Sequence, residues 1–274
     1  MNPKWIAKTL ATLLALISSV LFWPSTARAD QVPVRYTEGD TKGFLILKSA
    51  DGKELAEGDL TEKVKGGTVT TRVVFRFKDG SVYEDTTEFT QHGKFRLKRD
   101  HVVQKGPAFK QQMESVVNME TGEVTVTSSD GKKEKKYKQK MDLPEDVANG
   151  MVFTFIKDLA SSPVTTVSYV AATPKPRLVK LVITQNGKEQ LMTGHTGHQA
   201  IHYVMKVKIG GMTGVAAKVF GKVPPPTEMW VLDSEVPAFA GSKGPLSTNG
   251  PIWRVELVSP RQPKVAETEP EVEH

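Results

Sequence analysis

Val69 to Val103 reads VTTRVVFRFKDGSVYEDTTEFTQHGKFRLKRDHVV. In its first strand Val69, Thr71, Val73, Phe75 and Phe77 fall on one side, and Thr70, Arg72, Arg76 and Lys78 on the other. That is the period-two alternation of a strand with one buried face. Two polar triplets ending in glycine, Lys78-Asp79-Gly80 and Gln91-His92-Gly93, interrupt the run. Such triplets close hairpins by giving glycine the left-handed position. With three-residue loops, odd residues pair with odd residues across both hairpins, so Tyr83, Phe89, Phe95 and Leu97 join Phe75 and Phe77 on one face. Glu84, Glu88, Lys94, Arg96 and Lys98 join Arg72 and Arg76 on the other. A slip of one residue would invert every side chain, so the coherence of the aromatic face supports the register. The product is a sheet with one greasy side that needs a cover.

The same turn grammar recurs at Ala50-Asp51-Gly52, Glu120-Thr121-Gly122, Ser129-Asp130-Gly131 and Gln185-Asn186-Gly187, which predicts a long antiparallel meander. One segment suits the cover. Asp142 can cap a helix, Pro144 fits its first turn, and Val147, Met151, Val152, Phe155, Ile156 and Leu159 recur at three- and four-residue spacing. Gly150 is costly inside a helix, which allows a start after it. Further strands are expected near Thr165–Ala171, Arg177–Thr184, Gln199–Ile209, Thr227–Leu232 and Ile252–Val258. Between them Gly221–Pro226 and Pro237–Pro251 read as irregular connections, and Gly210–Gly221 as a short buried helix or a pair of turns. The expected fold is mainly β: a strongly curved antiparallel sheet or partial barrel with one packed helix over about 144–160.

The chain has 274 residues, 38% of them apolar and 25% charged, enough to bury a core without disulfides or metals. It has no cysteine, which excludes thiolate nucleophiles, Cys-rich zinc sites and iron–sulfur clusters. Residues 1–29 read as a secretory signal peptide: Lys4 and Lys8, then an apolar run from Leu10 to Trp23, then Ala27-Arg28-Ala29. The apolar run is too short for a bilayer span, so the processed protein is expected to be exported to the periplasm or beyond and not integral to a membrane. Of the formal charge of +6, three units belong to Lys4, Lys8 and Arg28, leaving +3 from Asp30 onward. That near balance is no nucleic-acid footprint. Residues 30–260 read as a single all-β domain and 261–274, with Glu267, Glu269, Glu271 and Glu273, as a disordered acidic tail.

Few constellations suggest chemistry. His195, His198 and His202 form the one arrangement with metal-ligand character, but four residues along a strand span roughly 13 Å, too far for a common ion. No serine sits in a strand-to-helix elbow, and no glycine loop suited to phosphate opens a helix, so neither a catalytic serine nor a nucleotide cofactor is expected. Glu84, Asp85 and Glu88 could be paired carboxylates, yet Lys and Arg on the next strand account for them as surface pairs. Lys132 to Lys140 holds six lysines, which would suit an anionic partner or a basic edge strand that resists aggregation. The aromatic face itself, Phe75, Phe77, Tyr83, Phe89, Phe95 and Leu97, is either plain core or the binding surface of a curved sheet for an acyl chain or other apolar ligand.

Several runs also resemble a known group: GFLILKSADGKELAEGDL (43–60), FRFKDGSVYEDTTEFTQHGKFRL (75–97), QKGPAF (104–109), LPEDVANG (143–150), VAATPKPRLVKL (170–181) and GPIWRVEL (250–257). They are similar to a family of uncharacterised secreted bacterial proteins over nearly all of Tyr36 to Pro260. The resemblance implies an all-β exported protein and carries no activity or site. In that group the region of His202-Tyr203 matches, whereas His195 and His198 do not. More distantly, a one-sided antiparallel sheet with a helix on its concave face resembles the half-barrel carriers of lipids and lipoproteins in the bacterial envelope, a likeness of fold only. The expectation is a non-catalytic, monomeric envelope protein that binds an apolar or amphiphilic ligand on its aromatic face. The alternative is a structural or interaction module, using strand edges and the 221–251 loops for an envelope partner. A deep pocket with two converging ionisable groups would point instead to an enzyme.

Overall fold

The computed structural model describes residues 31–159, 162–173, 175–193, 196–208, 224–247 and 250–258. The expected leader over 1–29, the tail over 261–274 and the stretch 210–221 lie outside them. Among the described residues fourteen strands follow one another: β1 (Thr41–Ser49), β2 (Glu54–Lys65), β3 (Thr68–Phe77), β4 (Val82–His92), β5 (Lys94–Lys105), β6 (Gln112–Asn118), β7 (Glu123–Ser129), β8 (Glu134–Lys140), β9 (Val164–Ala171), β10 (Arg177–Thr193), β11 (Thr196–Lys208), β12 (Thr227–Leu232), β13 (Phe239–Gly244) and β14 (Trp253–Val258). All belong to one antiparallel sheet in the order β8-β7-β6-β5-β4-β3-β2-β1-β14-β13-β12-β11-β10-β9.

This order contains two meanders that meet back to back. The first runs outward from β1 to β8. The chain then crosses to the far edge, enters at β9 and meanders inward until β14 pairs with β1, Phe44 opposite Val258 and Ser49 opposite Trp253. The crossing segment therefore has to traverse a face of the sheet, and it takes the greasy one. Strands distant in the sheet order meet around it: Phe89, Phe95, Leu97, Val117 and Val124 from one arm share a core with Val167, Leu181, Ile201, Tyr203 and Met229 from the other. Only a sheet rolled around its own cover can bring those residues together, so the architecture is an open partial barrel, as the one-sided pattern predicts.

The first hairpin has the expected register, with Phe75 opposite Tyr83 and Val69 opposite Phe89. Phe75, Phe77, Tyr83, Phe89, Phe95 and Leu97 are all buried on the concave side. In the second hairpin Gln91 pairs with Phe95 and Phe89 with Leu97, then a bulge between Glu88 and Phe89 shifts the pairing by one. Beyond it, Thr87 lies opposite Asp100 and Tyr83 opposite Gln104, so even-numbered residues of β5 turn inward.

The cover is shorter than its periodicity predicts. Instead of a helix over about 144–160 there is one helical turn, α1 (Val152–Phe155), continued by a 3-10 turn at Ile156–Leu159. Gly150 explains the late start: its φ is +66°, and a Cβ there would lie 1.8 Å from Thr87 Oγ1 and 2.6 Å from Asp100 Oδ1, so the chain lies directly on β4 and β5 and cannot coil at that point. The residues before it line the edge of β9. Val147 bridges Ser168, the Ala148 N–H donates to Ser168 O at 2.9 Å, and the Asn149 side chain both donates to Val170 O and accepts from Val170 N–H.

Two further expectations need correction. Phe239–Gly244, inside a stretch expected to be irregular, is the strand β13. Its small residues give no apolar alternation, and Gly241 is needed where a Cβ would meet Val255 O at 2.7 Å. Gln185-Asn186-Gly187 is not a hairpin loop but a bulge within β10, with the β10–β11 pairing resuming at Lys188.

Candidate functional site

The concave face does not fill into one core. Phe89, Phe95 and Leu97 pack beneath Met151 and Phe155, with ring centres 5.9 Å apart for Phe89–Phe95 and 6.2 Å for Phe95–Phe155. Phe77 packs instead with Phe109 and Trp253, each ring centre 5.4 Å away. Between these two clusters lies a cavity of about 360 Å³. Leu45, Leu60, Val73, Phe75, Tyr83, Val255 and Leu257 form its floor, Phe153 and Lys157 its roof, and Thr37–Gly39 one side. Gly43 leaves part of the floor without a side chain. A second cavity of about 170 Å³, bounded by Tyr169, Leu181, Met205 and Val207, shares Tyr83, Asp85, Gly150, Phe153 and Leu246 with the first. Phe153, its ring tilted against that of Phe239 at 4.9 Å, thus stands between two mostly apolar chambers. Of the six aromatic-face candidates, Phe75 and Tyr83 line this space; Phe77, Phe89, Phe95 and Leu97 are committed to packing on either side of it.

Acidic groups reach the same space. Glu84 lies outside, held by Arg72 through two contacts of 2.7 and 2.9 Å, which keeps its carboxyl below the ordinary range. Asp85, grouped with it in the sequence as a surface residue, faces inward instead, because alternation places it between Tyr83 and Thr87. The strand bulge then turns Asp100 toward it. The Thr87 hydroxyl lies 3.1 Å from both Asp85 Oδ1 and Asp100 Oδ1. A hydroxyl has one proton to give, so it can donate to only one of them, and the second contact is a hydrogen bond only when that carboxyl supplies the proton. Burial, followed by the charge of Asp85, pushes Asp100 well above the usual carboxylate range, and burial raises Asp85 as well. Tyr83 and Tyr169, buried beside the pair, are also raised by loss of solvent.

A second acidic cluster closes the other end. The arm at 31–40 crosses the sheet's mouth: Arg35 and Tyr36 N–H groups donate to Asp158 Oδ1 at 2.5 and 2.9 Å, and Glu38 exchanges two hydrogen bonds with Gln91. Glu38 meets Lys157 at 2.5 Å with only 6% of its side chain exposed. Glu62, 7% exposed, accepts from Thr41 Oγ1 at 3.0 Å and Thr71 Oγ1 at 3.5 Å. Burial, and next the neighbouring Glu62, raise Glu38 to about 7 despite Lys157. Glu38 and Glu62 sit far apart in the sequence in unpatterned surroundings; only the path of the arm joins them.

His198 and His202 do not converge, and His195 lies outside the described residues. His198 is exposed on β11, four residues from His202. His202 stacks on Trp230 at 5.2 Å, with Glu189 and Glu228 at 3.6 and 3.4 Å from its ring nitrogens. Lys132–Lys140 brings its lysines to β8, the outermost strand of one edge, exposed along its whole length. Among the described residues no helix is long and apolar enough to cross a membrane.

Fold and cavity together define a rolled, open, barrel-like antiparallel β protein with a hollow concave face. No family model and no curated protein matches the chain. Among solved structures it is similar to a beta-barrel-like protein of domain of unknown function DUF1849 from Brucella abortus, with 13% identity over 81% of this chain and 96% of that one and a TM-score of 0.44.

Proposed function

We propose that this is an exported, non-catalytic envelope protein that holds an apolar or amphiphilic ligand in the concave chambers. The observation that carries this reading is the cavity of about 360 Å³, walled largely by aliphatic and aromatic side chains on the very face that alternation marks as greasy. Its size lies within the roughly 300–1,000 Å³ of small-molecule sites. A sheet built only to be stable would close that volume, since interiors normally pack without voids larger than a water molecule. Cleavage after Ala29 and a monomeric state belong to the same proposal.

The test is purification without detergent, followed by mass spectrometry of the organic extract. A chain-bearing molecule at near-stoichiometric yield is the expected result, and it should be depleted when Leu60→Trp fills the floor. An extract without such a molecule, together with a protein that also fails to take up added amphiphiles, would overturn the reading. The Asp85–Asp100 pair supports a second reading, acid–base catalysis, because two coupled carboxyls border the cavity. Against it, Thr87 and Asn149 already engage Asp100, and Gly150 lies across it. The pair thus serves the contact between the crossing segment and the sheet.

A further inference from the structure

The charged groups that border the larger cavity are unequal in number. Glu38, Glu62 and Asp85 are acidic; Lys42 and Lys157 are basic. Lys42 turns away, its side chain 58% exposed, with Nζ 3.8 Å from Asp59 and 5.1 Å from the Phe44 ring centre. Among the described residues lining the cavity, that leaves one ammonium, Lys157, for the two buried carboxyls at the arm end. Asp158 beside it adds a further buried carboxyl, whose Oδ1 serves the arm backbone and whose Oδ2 has no hydrogen-bond partner. Glu38 Oε1 is met by Lys157 Nζ at 2.5 Å, and the Glu62 carboxyl lies within hydrogen-bond reach of Glu38. So an apolar chamber ends in a buried cluster in which two carboxyls, Glu38 and Glu62, share the one ammonium of Lys157.

We propose that the ligand is a single-chain amphiphile with an ammonium head group, the head lying against Glu38 and Glu62 and the chain along Leu60, Phe75 and Leu257. This rests on the ligand-binding reading above. A carboxylate head would add an anion to a pocket already short of cations, and an alcohol would supply no charge. Burial first, and the charge of Glu62 next, raise Glu38 to about 7, so the pair holds a proton below that pH. An ammonium head does the same work, so binding displaces the proton. The sign follows: below the value of Glu38 the ligand must expel a proton to bind, and above it the pocket is already ionised, so affinity rises with pH and levels off in the alkaline range.

The experiment is calorimetric titration of the full chain with decylamine, decanol and decanoate, each in two buffers of different ionisation enthalpy. Decylamine, charged throughout, should bind at least about tenfold tighter than the other two and gain about tenfold between pH 6 and pH 8, with most of one proton released per ligand at the lower pH. Glu38→Gln should abolish the proton release and the pH dependence of decylamine binding. Glu62→Gln, on a strand and not on the arm, should reduce the decylamine preference even if Glu38→Gln loosens the arm. Equal affinities for the three head groups, or binding without proton release, would overturn the ammonium assignment and leave the ligand-binding reading standing. Failure of all three chains to bind would overturn both.

Discussion

Gly150 lies against Thr87 and Asp100, and Gly150 and Asp100 can each be probed singly. A methyl group at position 150 would overlap the Thr87 hydroxyl in a left-handed backbone. Gly150→Ala should therefore cost more than about 2 kcal/mol, read as a lower denaturant midpoint with an unchanged slope. Asp100 keeps its proton in the folded chain at pH values where the unfolded chain has lost it. The folded state then binds more protons than the unfolded one from about pH 4 upward, so this group's contribution to stability falls as pH rises through that window. Glu38, raised to about 7, adds to the same decline. Glu84, lowered by Arg72, acts oppositely at the acid end, where its contribution is lost as pH falls. Thermal midpoints should accordingly peak in mildly acidic solution and drop toward pH 8. Asp100→Asn, which keeps a donor without a charge, should flatten the alkaline side; a midpoint unchanged from pH 5 to pH 8 in the parent chain would contradict the assignment.

Among the elements, the two sheet edges are protected by different means. At β9 the segment from Asp146 to Asn149 substitutes for a missing strand, and the Asn149 amide imitates a backbone peptide toward Val170. Asn149→Ala leaves two buried backbone groups unpaired, at a cost of about 1–3 kcal/mol, and should speed amide hydrogen exchange at Val170 well before the sheet as a whole. At β8 protection is electrostatic. Replacing Lys135, Lys136 and Lys138 by threonine should convert the protein to sedimenting oligomers at unchanged thermal stability, because a bare β edge without charge recruits other edges. Strands with one aromatic face, such as β3 and β4, were legible from alternation alone. β13 was not, because Gly241 and Ser242 fit by close backbone approach and leave no periodic trace. The same holds for the site: Asp85 follows from parity along β4, whereas Asp100 turns inward only through a bulge that local residues do not announce.

For the whole molecule, alternation gave the curvature and the greasy face but not the hollow in it. A void arises from what fails to meet across the roll, here the Phe77–Trp253 and Phe95–Phe155 clusters, and such separations are set by pairing among distant strands. Topology also sets the tempo. The seam between β1 and β14 unites opposite ends of the described chain, and folds dominated by such distant pairings form in milliseconds to seconds or slower. Refolding followed by Trp253 fluorescence should thus lag behind the far-ultraviolet signal of the local hairpins. Val255 and Leu257, which wall the larger chamber, belong to that final strand. If the chamber holds a ligand as proposed, a polypeptide lacking this stave would have one wall missing, and a guest could be taken aboard only after β14 has been zipped against β1.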